Sequence, residues 1–134
     1  MSGRSELEEL RARKKTQFVK LLEVSDATKR MAEAVDRRDE VSANLLLAER
    51  ERPLLELTEL EESIRAYLLT LPEERAVRAG ELLNGAAAEA EEELPLAEQV
   101  AQYRRLLSST QDRDRELSLR LGGSRSLYRK FRES

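Results

Sequence analysis

The chain has no cysteine, no histidine and no tryptophan. Without thiols there is neither a disulfide framework nor a thiolate metal site, and without imidazole the commonest metal ligand and general base is missing. No glycine-rich phosphate loop is present, and no carboxylate pair stands out in an apolar context. The expectation is therefore a protein that is not an enzyme and holds no cofactor or metal. Aromatic residues make up only 4% of the chain, and Val, Ile and Thr together number 12 against 24 leucines. Side chains that favour strands are scarce, while Leu, Ala, Glu and Arg lose little rotamer freedom in a helix. The start, MSGRSELEELRARKK, lacks an apolar leader segment. No run approaches the roughly 20 apolar residues of a membrane span. A cytoplasmic location is the simplest expectation.

Charge is plentiful but balanced. Charged residues form 38% of the 134 positions, and the formal net charge is -3. Nothing drives the whole molecule toward nucleic acid or an acidic membrane, so partners must be recognised by shape and local patches. The length suits one domain with a modest core.

The clearest pattern lies between Asp39 and Leu71. Leu57, Leu60, Ile64, Tyr67 and Leu71 recur at steps of three and four, a narrow apolar stripe on one helical face. A lone helix of this length is marginal in water, so other helices must lie along the seam. This stretch reads as the central helix. Before it, a helix over about 5–36 carries Leu7, Leu10, Leu21, Val24, Met31 and Val35 on one stripe, with Lys14, Gln17 and Thr28 between them. Either Phe18 and Leu22 take over by helical drift, or the polar positions weaken the seam and let the helix exchange partners; the first is the expected case. DRRD at 36–39 reads as a tight turn in which either Asp can cap the next helix. Pro53 falls inside an apolar periodicity that continues on both sides, which predicts a kink rather than a break.

Thr70, Pro72 and Glu73 read as the start of a short helix over 72–84, stopped by Asn84 and Gly85. The acidic run through Glu89, Glu91, Glu92 and Glu93 reads as a solvated face or mobile loop rather than a metal site. A last helix over about 95–121 carries Val100, Tyr103, Leu107, Thr110, Asp114, Leu117 and Leu121; Asp114 is expected to pair at the surface with Arg113 or Arg115, the alternative being that it marks where the helix leaves the bundle and faces a ligand. Residues 122–134 form a basic tail with Leu127, Tyr128 and Phe131 interleaved. It reads equally as a docking peptide or as a frayed end. The fold expected is all-α: an elongated antiparallel helical hairpin or bundle with coiled-coil-like packing over 1–121, followed by that tail.

The run VKLLEVSDATKRMAEAVDRRDEVSANLLLAERERPLLELTELEESI, with RELSLRLGGSRSLYRKF near the end, resembles the bacterial flagellar type III export chaperones of the FlgN and FliT kind. The resemblance implies a small cytoplasmic helical protein that holds a hook-associated or filament-cap protein before export. It would place partner binding at Leu107, Leu117, Leu121, Leu127, Tyr128 and Phe131. Pro53 and the separate short helix depart from the pattern. The competing readings are a structural coiled-coil homo-oligomer paired through the seam from Leu57 to Leu71, and an adaptor without cargo that meets a nucleic acid or membrane surface through the basic tail.

Overall fold

The structure, a computed structural model, describes residues 2–120, with side chains from Arg4 onward. All its regular elements are helical: α1 (Ser2–Asp36), α2 (Glu40–Leu68), α3 (Glu73–Leu83), a 3-10 turn (Glu91–Glu93) and α4 (Leu94–Arg120). Between Ser5 and Asp36 no glycine or proline interrupts α1, so it extends for about 50 Å at 1.5 Å per residue. Its end is fixed by backbone bonds. Arg38 adopts φ 59°, the left-handed conformation that lets the Asp39 amide donate to the Ala34 carbonyl at 2.8 Å. Asp39, not Asp36, then caps α2 by accepting the Ser42 amide at 3.0 Å.

The helix α2 returns antiparallel to α1 and continues without a break through Pro53, which is itself buried. Thr70 does not open the next helix as expected. Its hydroxyl donates to the Tyr67 carbonyl at 2.6 Å, finishing α2, and α3 begins behind Pro72 with no side-chain cap. Gly85, at φ 101°, ends α3 as the sequence suggests. The 3-10 turn leads into α4, which runs parallel to α1: Leu96 meets Leu10 at one end, and Leu117 meets Met31 at the other.

Three apolar layers stack along the bundle. The base layer holds Leu10, Ile64, Ala79, Leu82, Leu96 and Val100. The middle layer holds Leu21, Val24, Leu54, Leu57 and Tyr103. The top layer is the smallest, with Met31, Leu46 and Leu117. Each fully buried leucine contributes about 1.5–3 kcal/mol, so the base is the firmest part of the molecule.

The helix that organises the bundle is α1, not the stretch from Asp39 to Leu71. It packs along both α2 and α4, whose backbones scarcely approach each other. On the α2 stripe Leu57 and Ile64 are buried while Leu60, Tyr67 and Leu71 are half-buried. The expected drift in α1 holds only for Phe18, which is half-buried against the middle layer. Lys14, Gln17 and Thr28 keep their stripe positions and are buried, whereas Leu22 is 44% exposed.

Candidate interhelical binding cleft

Two polar groups occupy the interior, one at mid-height and one in the upper half. At mid-height the Lys14 ammonium donates to Gln17 Oε1 at 2.9 Å, and Gln17 Nε2 donates to Glu61 Oε2 on α2 at 2.9 Å. The same ammonium lies 3.9 Å from the centre of the Tyr103 ring on α4. That distance places the cation against the negative face of the ring. Burial pushes the Lys14 pKa down, with Glu61 opposing and Arg104 reinforcing the shift. Burial likewise pushes the Tyr103 phenol up, helped by Glu61.

Directly over this group a cleft of about 270 Å³ opens between α2 and α4, lined by Lys14, Thr58, Glu61, Arg65, Leu83, Tyr103, Arg104 and Leu107. It exists because both flanking helices lean on α1 without closing on each other. One wall is set by the end of α3. Arg104 donates to the Asn84 carbonyl at 2.9 Å, and a Cβ at position 85 would stand 3.3 Å from the guanidinium carbon of Arg104. Glycine at 85 thus allows both the left-handed turn and the close approach of Arg104.

In the upper half, Arg50 of α2 reaches Asp114 of α4 at 2.8 Å, with each side chain at most 2% exposed. Arg50 also donates to the Thr28 hydroxyl at 2.9 Å, and that hydroxyl donates back to the Val24 carbonyl at 2.8 Å. Thr110 and Ser118 are buried on the same side of α4. Asp114 therefore does not pair at the surface with Arg113 or Arg115. The buried guanidinium from α2 takes it inward, because a charge lacking solvent needs a close counter-ion.

At the base, Glu93 is not a solvated member of the acidic run. Arg78 grips it bidentately, Nε to Oε2 at 2.9 Å and Nη2 to Oε1 at 2.7 Å, and the Glu89 amide donates to Oε1 at 2.8 Å. These bonds hold its pKa down at about 2, the arginine contact being the largest cause. Glu89, Glu91 and Glu92 remain exposed.

Of the residues expected to bind a partner, Leu117 is a core residue at 3% exposure, and Leu107 is half-buried, packing on the middle layer while lining the cleft. Leu121, Leu127, Tyr128 and Phe131 lie outside the described residues, as does the whole tail. The sequence reading missed Arg50 and Glu61. Their signal was a charged residue at heptad spacing among leucines, Arg50 lying seven before Leu57. Among the described residues, no cluster of three or more potential ligands could hold a metal ion, and no helix is long and apolar enough to cross a membrane. No family model matches the chain, and no curated protein or solved structure gives a match.

Proposed function

We propose that this chain is a cytoplasmic export chaperone of the flagellar type III kind that its sequence resembles. It would bind an amphipathic helix of a hook-associated or filament-cap protein and act without catalysis. The observation that supports this reading best is the open seam between α2 and α4. Two long helices share a third as their support, and their backbones scarcely approach each other although side chains of both enter the same apolar layers. The cleft between them is too small for a helix. It suits one or two side chains of a helix lying across it, with half-buried Leu107 and Leu83 as apolar walls. A highly charged exterior keeps such a surface soluble.

Light scattering on the full chain, with and without candidate hook-associated proteins, tests the proposal. A one-to-one complex is expected, and truncation after Leu121 is expected to abolish it while leaving the helical content intact. A homodimer that ignores every such protein and the truncation would remove the chaperone reading.

The structural homo-oligomer retains one specific support, away from the seam of Leu57 to Leu71, whose Leu57 and Ile64 are buried within the chain. Val41, Leu45 and Leu55 are 72%, 61% and 61% exposed, on the side of α2 turned away from α1. Together with Ala48 they lie on one helical face, with exposed Arg52 between Ala48 and Leu55. If that face pairs two copies, Leu45→Lys with Leu55→Lys yields a monomer in the same scattering measurement.

A further inference from the structure

We propose that Lys14 is an acyl-acceptor site: an amine on the floor of the α2–α4 cleft that takes an activated acyl group, from an acyl phosphate or an acyl thioester. This stands on the geometry of the cleft and is independent of the chaperone reading.

The chain has five lysines, and their surroundings differ. Lys15 and Lys29 are exposed. Lys20 is tied to Glu23 at 3.2 Å and Glu56 at 3.3 Å, contacts that raise its pKa and hold its proton. Lys130 lies outside the described residues. Lys14 alone among the described lysines is buried, at 6% exposure, and it also lines a cavity open to solvent. Its charged form is held by weak neutral partners, the Gln17 amide oxygen and the Tyr103 ring face, rather than by a carboxylate at contact distance. The ionisable groups around it come from both flanking helices. Glu61, Glu62 and Arg65 face the cleft from α2, and Tyr103 and Arg104 face it from α4, while α3 contributes Leu83 and Asn84 without charge. Desolvation outweighs Glu61, and the balance lowers the pKa of the amine. A larger share of Lys14 is therefore neutral near physiological pH than of a solvated lysine.

The chemistry balances without a redox partner. The neutral amine attacks the acyl carbon, a C–N bond forms, and the C–O bond to phosphate or the C–S bond to the thiol breaks. The leaving group departs with the electron pair, and the surplus amine proton passes to solvent through the cleft mouth. The product is an amide. It ends the cation contact with Tyr103 and places the acyl chain between α2 and α4.

The test uses the full chain with acetyl phosphate in one arm and acetyl-coenzyme A in the other, near neutral pH. Peptide mass spectrometry that separates Lys14 from Lys15 reads the ratio of the two labelling rates, in the folded chain and in concentrated urea. Each unit of pKa lowering multiplies the neutral amine about tenfold, and the weaker nucleophilicity of a less basic group, by analogy with thiols, returns roughly half of that logarithm. The folded chain is thus expected to show a ratio above that in urea with at least one donor. A ratio no greater than in urea with both donors overturns the assignment.

Discussion

Replacing Asp114 with Leu removes the carboxylate 2.8 Å from Arg50 and leaves a guanidinium at 1% exposure in the upper half of the bundle. Breaking one side of a buried ion pair costs about 3–5 kcal/mol, because the remaining charge is held out of water and has lost the carboxylate that faced it. That is a large share of a total stability on the order of 5–15 kcal/mol. With a urea dependence of about 1.5–2 kcal/mol/M, the unfolding midpoint followed by far-UV circular dichroism should fall by roughly 2 M. The paired substitution Arg50→Met with Asp114→Leu removes both charges and should return stability to the starting value, or raise it by about 1–4 kcal/mol. Thr28 remains satisfied in either case, since its hydroxyl already donates to the Val24 carbonyl. A single substitution costing less than about 1 kcal/mol, or a double no more stable than the single, would refute this account of the polar layer.

Three further outcomes are expected. Glu93→Gln should flatten the acid limb of the stability curve: the depressed carboxyl contributes fully above its unfolded value of 4.5 and loses that contribution as pH falls toward about 2, so wild type and variant should converge in acid urea titrations. Leu117→Ala should cost about 2–5 kcal/mol by denaturant unfolding, whereas Leu119→Ala, at a position 74% exposed, should stay within about 0.5 kcal/mol; equal effects would contradict the packing of α4. Lys14→Met should stabilise the fold near neutral pH, since the native state holds the Lys14 proton less tightly than the unfolded chain does; stability of the wild type then rises with pH only between the lowered folded value and 10.5, and the advantage of the variant should shrink as 10.5 is approached.

Local signals in the sequence were read well. Leucine spacing, the Asn84–Gly85 stop and the continuity of apolar positions across Pro53 each depend on residues a few places apart, and each appears in the fold. What failed depended on distant partners. Lys14 and Gln17 hold their buried places because Glu61 and Tyr103 arrive from other helices, and Asp114 turns inward because Arg50 does. A seam-edge charge and a buried paired charge look identical until the opposing helix is known. The organising role of α1 was hidden for the same reason, since its stripe is interrupted by the very polar groups that α2 and α4 satisfy. Glu93 was submerged in a run of acids, and only Arg78 singles it out.

The Arg50 and Asp114 contact also fixes where α4 can sit along its neighbours. An all-leucine stripe repeats every seven residues, and a helix built on it can slide by one repeat, about 10 Å, and still bury leucine against leucine. Here a slide of seven residues would put Leu107 opposite the Arg50 guanidinium and carry Asp114 away from it. The displaced alignment would then bury a cation against hydrocarbon, so the chain has one alignment where its leucines alone would permit several.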